Sequence, residues 1–449
     1  MYETLARHIV YPLGDAILHT NVTKYLASLE KSQWWSLDRL VELQNQKLCS
    51  LIDHAYNKVP YYHRVFDERG LSVRDIQTVD DLSKLPILTK DLIRQNFSDL
   101  VAQDYQKWRP FLDSSSGSTG EPLRYYTTMD ALSMGWAAAF RSWSWAGYRL
   151  GDKRVTLAGS ALVPSKRPSV SQRLRWLAER NMPLSAVHMS QDTMASYAER
   201  IARYRPRFVR GYPTALYLFA EYLKGRGICL RGVKAVFTTA EMLLPDYRRI
   251  IESQFACQVF DQYGSNDGGP EALECVTHDG YHITAERAIL EFVDSDGKAA
   301  GPESSADIIT TDLHNYAMPF IRYAVGDRAV LAGRLCSCGR GLPLIKSLEG
   351  RTTDVIRFDS GIVLSGPAVT LIFSDCHIRQ YQVVQTAGNS LLVRVVKGEH
   401  YTQADTDHFT GLIRSHVGRD IEIAVESVDE IATTKAGKHR FIVSRVSGV

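Results

Sequence analysis

Apolar side chains recur at helical spacing in the first hundred or so residues. Leu37, Leu40, Val41, Leu48, Leu51, Ile52 and Ala55 fall on one face of a helix that ends before Val59-Pro60-Tyr61-Tyr62. Asp80-Asp81-Leu82 and Thr89-Lys90-Asp91-Leu92 read as two helix starts, separated by Leu85-Pro86-Ile87-Leu88. A long helix rich in small and aromatic residues is predicted from Met134 to Gly147. From about residue 150 the pattern changes to short apolar runs alternating with helical ones. The runs Val155-Thr-Leu-Ala158, Phe208-Val-Arg-Gly211, Val233-Lys-Ala-Val-Phe-Thr238 and Gln258-Val-Phe-Asp261 read as strands. Between them lie the predicted helices Ala215 to Tyr222 and Pro245 to Phe255. Strand and helix in alternation imply a parallel sheet with crossover helices.

Residues 283–335 differ: Ile289-Leu-Glu-Phe-Val293 and Ala306-Asp-Ile-Ile-Thr-Thr311 alternate with Gly/Pro/Asp turns, which predicts an antiparallel subdomain. Beyond Gly350-Arg351 a smaller unit begins. Gln382-Val-Val384, the turn Ala387-Gly-Asn389 and Leu391-Leu-Val-Arg-Val-Val396 form a predicted hairpin. A helix with a Thr402…Asp405 capping box follows, ending near Gly418 before the strand Ile421-Glu-Ile-Ala-Val425. That order is the larger part of a ferredoxin-like α+β module. The expected fold class is therefore α/β. A large domain over 1–349 carries mixed and parallel sheets, helices and the antiparallel subdomain, and a small, mobile α+β domain covers 350–449.

Composition narrows the setting. A chain of 449 residues with 45% hydrophobic content has room for two or three domains and a large core. Net charge is +3, which gives no nucleic-acid footprint. No apolar run approaches the roughly 20 residues of a membrane helix, so no transmembrane segment is expected. The N-terminal Met1-Tyr-Glu-Thr-Leu-Ala-Arg-His8 lacks the pattern of a secretion signal. Seven cysteines, an odd number in a long chain, argue for a reducing compartment, and the expected location is cytoplasmic.

The chemistry begins at Asp113-Ser-Ser-Ser-Gly-Ser-Thr-Gly-Glu-Pro122, just before the strand-like Leu123-Arg-Tyr-Tyr-Thr127. Glycines allow a backbone close to a polyphosphate, and the Ser/Thr hydroxyls add neutral donors. The same composition also serves as a linker, and it is not a Walker loop, since no Gly-Lys-Ser/Thr follows. Four further segments accompany it. Asp261-Gln-Tyr-Gly-Ser-Asn-Asp-Gly-Gly269 follows a buried strand, and Phe320-Ile-Arg-Tyr-Ala-Val-Gly-Asp327 ends in a Gly-Asp turn suited to holding ribose hydroxyls. Gly350-Arg-Thr-Thr-Asp354 marks the domain junction, and Thr433-Thr-Lys-Ala-Gly-Lys-His-Arg440 puts a lysine on a glycine-flanked loop.

In this order and spacing, nearly the whole chain resembles the acyl-adenylate-forming (AMP-forming) ligase superfamily. The phenylacetate–CoA ligase branch, which includes relatives associated with capsular and surface-polysaccharide synthesis, is the nearest match. Ser50-Leu-Ile-Asp-His-Ala-Tyr-Asn-Lys-Val-Pro-Tyr-Tyr62 and Leu85-Pro-Ile-Leu-Thr-Lys90 look like the lead-in of those relatives. The resemblance implies that Ser115, Ser116, Gly117, Ser118, Thr119 and Gly120 wrap the β- and γ-phosphates of ATP. It implies that Tyr263, within Tyr263-Gly264-Ser265-Asn266, stacks on adenine near Ala240 and Glu241. Asp267 would help hold Mg²⁺, Asp327 and Arg351 would bind ribose, and Lys438 would bridge carboxylate and α-phosphate. Positive charge and positioning suit phosphoryl-type chemistry. Three positions depart from the pattern: Glu121 replaces a frequent lysine, Asp267 replaces a glutamate, and Thr353 stands at the usual Asp or Lys hinge.

The implied activity is a two-step ligation of a small-molecule carboxylate, through an acyl-adenylate, to CoA. An amine acceptor in surface-polysaccharide synthesis is one alternative, and an adenylyltransferase or a non-catalytic nucleotide-binding relative is another. A homodimer is an admissible assembly. The aromatic helix Gly135 to Tyr148 is either part of an acyl pocket or plain core.

A metal site is legible in the residues themselves. Cys275, a histidine from His278-Asp-Gly-Tyr-His282, and Cys336-Ser-Cys338 offer the Cys₃His set that tetrahedral Zn²⁺ accepts. Either His278 or His282 can complete it, since a turn at Asp279-Gly280 would fold His282 back. Four protein ligands imply a structural ion.

Overall fold

The computed structural model describes residues 2–115, 123–159, 163, 168–186, 189–241, 243, 245–294, 296–348, 355–365, 369, 372–373, 375–418, 420–429, 431 and 442–444. These build an α/β fold in two compact units.

The first unit gathers Met1–Ser115, Arg124–Asp152 and Phe260–Gly350. Its helix Leu37–Lys58 buries Leu40, Leu48, Leu51, Ile52 and Ala55, as their spacing predicts. The helix stops at Val59, extended at φ −115°, because a following proline disfavours the helical conformation. Pro60 then opens the helix Pro60–Glu68 at a position where its missing N–H is no loss. The two predicted starts are also present. Thr78 and Asp81 make a reciprocal capping box on the 3₁₀ turn Val79–Lys84, and Thr89 caps Lys90–Gln95. The aromatic helix begins earlier than expected, running Met129–Trp145, because the Thr128 side chain accepts the Ala131 N–H. Its Trp136, Phe140 and Trp143 pack on one another, and Phe140 and Trp143 also on Tyr148. Those contacts are core packing.

The same unit holds a run of antiparallel strands in the order Ala288–Val293, Ser305–Asp312, Tyr323–Leu331, Leu344–Leu348, Tyr281–Ile283, Glu271–Glu274 and Gln258–Gly264. Antiparallel pairing thus reaches beyond the predicted 283–335 at both ends. Strand order differs from chain order: Leu344–Leu348 inserts between Tyr323–Leu331 and Tyr281–Ile283. That insertion brings the segment before it, with Cys336 and Cys338, back to the segment around Cys275.

The second unit includes Lys153–Val259 and Arg351–Val449. In its first part, Ala235–Thr239, Phe208–Gly211, Arg154–Ala158 and Asn181–Ser185 lie side by side and parallel. Their apolar residues, among them Val155, Leu157, Val209 and Val236, are buried with Phe219 and Ile251 from the helices Pro213–Gly225 and Pro245–Phe255. Burial of a parallel sheet on both faces explains why its strands read as unbroken apolar runs.

The C-terminal part is a four-stranded sheet ordered Glu422–Ser427, Ser390–Lys397, Ile378–Ala387 and Ile442–Ser444. The hairpin turns at Gly388-Asn389, with Ala387 opposite Ser390. The capping box of Thr402 and Asp405 opens the helix Gln403–Val417, and Gly418 closes it at φ +116°. Phe409 and Ile413 of that helix pack on Val383, Val393 and Val395 of the sheet. The strand Ile442–Ser444 completes the module by pairing parallel to Val383–Gln385. Among the described residues, no helix is long and apolar enough to cross a membrane.

Candidate functional site

The hydroxyl-rich loop is the connection of a hairpin. Strands Pro110–Ser115 and Leu123–Thr128 form a two-stranded sheet, and Ser115 is the last residue of the first strand. Ser116, Gly117, Ser118, Thr119 and Gly120 lie outside the described residues. Leu123, Tyr125 and Thr127 alternate into the interior. The Tyr125 hydroxyl donates to Asp113 Oδ2 at 3.3 Å across the hairpin. Burial first, and then the charges of Asp267 and Asp113, push the Tyr125 phenol well above its usual range. Tyr125 therefore remains a hydroxyl donor, and the hairpin lies within the field of Asp267.

Asp267 is only 3% exposed. Its Oδ2 accepts the Tyr323 hydroxyl at 2.8 Å, and its Oδ1 accepts the Ser265 hydroxyl. A carboxylate has about four lone-pair sites, so each oxygen retains capacity for a further partner. The following glycine makes this packing feasible. Gly268 sits at φ +73°, and a Cβ there would lie 2.5 Å from Thr310 Cγ2 and 2.7 Å from Tyr323 Cδ1. Its carbonyl accepts the Thr310 hydroxyl at 2.8 Å, which fixes the turn from the other side.

Four residues earlier, Tyr263 donates to Asp327 Oδ2 at 3.2 Å, and both side chains are half-buried. Gly264 and Asn266 are exposed beside them. The expected Gly-Asp turn is instead a strand irregularity. The register between Asp307 and Ile309 jumps from Arg328 to Ala324, and Gly326 takes φ +86° inside Tyr323–Leu331. A bulge of this kind re-aims a side chain that a regular strand would direct elsewhere. The sequence pattern cannot distinguish a Gly-Asp turn from a Gly-Asp bulge, since both need the same backbone freedom.

In the second unit, Ala240 follows the strand Ala235–Thr239 and is exposed at φ +72°, a conformation that costs an alanine roughly 1–2 kcal/mol. Glu241 beside it is buried. Non-glycine residues held left-handed at a strand's C-terminal end mark places where surrounding structure over-determines the backbone. Arg351 and Lys438 lie outside the described residues. Sequence reasoning overlooked Tyr323, Thr310 and Tyr125. The first and last stand inside the segments it singled out, and a buried tyrosine needing a polar partner was the available signal.

The cysteines form a second cluster. Cys275, His282, Cys336 and Cys338 bring their ligand atoms within 4.8 Å of one another. Cys275 Sγ is 3.7 Å from Cys336 Sγ, and Cys338 Sγ is 3.4 Å from His282 Nε2. His278 is not part of it: its Nδ1 lies 3.3 Å from Glu274 Oε2, and its ring packs on Phe260. The strand decides between the two histidines. His282 is paired opposite both Leu344 and Leu273, in the interior of the sheet, whereas His278 sits in the preceding turn at φ +51°.

The chain itself is similar to known proteins. Residues 358–445 match the CapK C-terminal domain family. Protein CapK of Staphylococcus aureus is 26% identical over 420 residues, covering 91% of this chain and 90% of that protein. The phenylacetate–coenzyme A ligase of Thermus thermophilus is 24% identical, covering 90% of this chain and 96% of its own length. A crystal structure of 2-hydroxyisobutyryl-CoA ligase, in complex with 2-HIB-AMP and CoA in the thioesterification state, superposes with a TM-score of 0.63. It is 18% identical and covers 92% of this chain and 91% of its own. The fold is that of the acyl-adenylate-forming ligases. Within that class the homologues of this chain are CapK and the phenylacetate–coenzyme A ligases, which is the superfamily and branch the motifs pointed to.

Proposed function

We propose that the protein activates a carboxylic acid with Mg·ATP and passes the acyl group to CoA. The observation that carries this reading is the meeting of distant motifs. Tyr263 bonds Asp327, and Asp267 bonds Tyr323, beside the hairpin that bears the hydroxyl-rich loop. Relatives named phenylacetate–coenzyme A ligase, aligned over most of the chain, supply the acid and the acceptor class.

In the first step a carboxylate oxygen attacks the α-phosphorus of ATP, the bond to the β-phosphate bridge breaks, and pyrophosphate leaves. In the second, the CoA sulfur attacks the acyl carbonyl and AMP departs with the electron pair. Ser115 to Gly120 surround the β- and γ-phosphates in this reading. By the family resemblance, Tyr263 would stack on adenine and Asp327 would take the ribose. Lys438 would supply a cation for adenylation by the same resemblance. Asp267 offers Mg²⁺ a hard oxygen ligand with a lone pair to spare, and the ion would neutralise phosphate charge as it builds. Tyr323 and Ser265 orient that carboxylate. None of the seven cysteines, all of them among the described residues, is joined in a disulfide, and a reducing, cytoplasmic setting is part of this reading.

Pyrophosphate release over a panel of aryl, fatty and amino acids, with hydroxylamine trapping of the adenylate, tests the reading. Acid-dependent release, a CoA-dependent thioester and loss of roughly 10²-fold or more in Lys438→Ala are expected. Amide product without thioester would move the acceptor to an amine. No acid-dependent release from the whole panel overturns the proposal.

A further inference from the structure

We propose that Cys275, His282, Cys336 and Cys338 bind one Zn²⁺ as a closed structural site, and that this ion holds the loop after Cys336 in the shape that clamps residues 33–35. The first part follows from donor geometry. A tetrahedral zinc with bonds of about 2.3 Å to sulfur and about 2.05 Å to nitrogen spaces two sulfurs about 3.8 Å apart, and sulfur from nitrogen about 3.5 Å. The corresponding separations here are 3.7 Å for Cys275 to Cys336 and 3.4 Å for Cys338 to His282. Three soft thiols and an imidazole select zinc among the common divalent ions.

The surroundings also suit an ion. Thr277 Oγ1 lies 3.1 Å from Cys275 Sγ and 3.2 Å from Cys336 Sγ, and the Cys338 N–H points at Cys336 Sγ from 3.5 Å. Such donors stabilise thiolates once a cation has displaced their protons. Without one, four polar groups, three of them buried, are packed together with little to reward them. Cys275, His282 and Cys336 are each at most 5% exposed, which leaves no open position for a substrate.

The second part follows from what the loop does next. Arg340, two residues past Cys338, lies 4.4 Å from the Trp145 ring and 4.9 Å from the Trp34 ring. Its Nε donates to Gln33 Oε1 at 3.1 Å, the same oxygen that accepts Trp145 Nε1 at 2.8 Å. The Gly341 N–H donates to the Gln33 carbonyl at 3.1 Å. A Cβ at Gly341 would fall 1.8 Å from the Trp35 carbonyl oxygen, so the two backbones touch. Trp145 also meets the His282 ring edge-on at 5.2 Å. One metal ligand abuts the clamp from within, and another precedes it in the chain by two residues.

The full chain, purified without chelator, should carry one zinc. Cobalt-substituted protein should show the visible absorption of a tetrahedral thiolate–imidazole site. His278→Ala should keep both properties, while His282→Ala and Cys338→Ser should lose the metal at least tenfold more readily to a chelator. Stripping the wild-type metal should accelerate hydrogen exchange at residues 33–36 and 336–342. None of these readings needs ATP, so they stand or fall apart from the ligase assay. Wild-type protein that holds no zinc and takes up neither Zn²⁺ nor Co²⁺ overturns the site, as does zinc that survives His282→Ala but not His278→Ala. Unchanged exchange at 33–36 after complete metal removal overturns the clamp. Should the ligand variants fail to fold, the wild-type stoichiometry and cobalt spectrum decide.

Discussion

Two polar clusters sit in the same antiparallel unit, and they are built to opposite plans. Around Asp267 the donors are hard oxygens, each holds one hydroxyl with capacity to spare, and exposed Gly264 and Asn266 adjoin. Around Cys275 the donors are soft, all but Cys338 are buried, and each faces another member of the set. The first plan suits a ligand that must arrive, react and leave. The second suits an ion that stays. Both use residues far apart in the chain, so distance in sequence says nothing about which kind of site forms; donor type and the capacity each donor has left do.

The strongest way to break this contrast is to exchange the symptoms. Asp267→Ala should reduce acid-dependent pyrophosphate release roughly 10²–10³-fold, the cost of removing a group that meets developing charge. It should leave zinc content at one per chain. Measuring both on the same preparation is decisive, because a joint loss would show that the two clusters are one site or that the unit has unfolded.

Metal removal comes next. A ligand that binds only the folded state at a thousandfold excess over its Kd stabilises it by about 4 kcal/mol. Chelation should therefore lower the melting temperature by several degrees in wild type, and by little in Cys336→Ser, which has already lost a ligand. Pyrophosphate release per folded molecule should stay within roughly threefold. A large fall in that specific rate would mean that the cysteine cluster takes part in turnover.

Much of this contrast could be read from the chain. Leu37 to Ala55 announced their helix, and Thr402 with Asp405 announced another, because periodicity and capping are local. The segments holding Tyr263, Asp267 and Asp327 were legible as glycine-containing runs beside predicted strands, and their roles came only from the family resemblance. Their pairing was not legible: Tyr323 reaches Asp267 only because the strand order places Tyr323–Leu331 as it does. The choice between His278 and His282 likewise waited on register, since Tyr281–Ile283 sets His282 opposite Leu344. Arg340 gave no signal, because a lone arginine after a cysteine pair reads as surface until two tryptophans are found around it.

A smaller effect sharpens the first plan. Tyr263→Phe keeps the ring and deletes the 3.2 Å bond to Asp327. The loss of one partly exposed hydrogen bond is worth about 0.5–1.5 kcal/mol, so the KM for ATP should rise roughly 2–10-fold with kcat nearly unchanged. If Asp327 holds ribose, Asp327→Asn should also raise that KM, and the double variant should lose less than the sum of the two. Additive losses would place the two residues in separate roles.

The smallest effect comes from a third polar cluster, which serves as the control. Asp130 accepts from Asn21 Nδ2 at 2.9 Å and from the Tyr25 hydroxyl at 2.6 Å, and its Oδ2 lies 3.5 Å from His314 Nδ1. Burial raises its pKa, but His314, Tyr25 and Asn21 outweigh that and bring it down to about 2. A folded pKa below the unfolded value of 3.8 means that the unfolded chain binds more protons between those limits. The stabilisation is therefore complete above about pH 4 and fades as pH falls towards 2. The full shift corresponds to about 2.4 kcal/mol, but the carboxylate is 38% exposed and screened, so about 1 kcal/mol is the reasonable expectation. Asp130→Asn should cost that much at neutral pH, converge with wild type on acidification, and alter neither zinc content nor the KM for ATP. Denaturant unfolding at pH 7 and near pH 3 reads the difference. A gap that stays constant across that range would mean the loss is one of hydrogen-bond geometry, and that the charge on Asp130 contributes nothing.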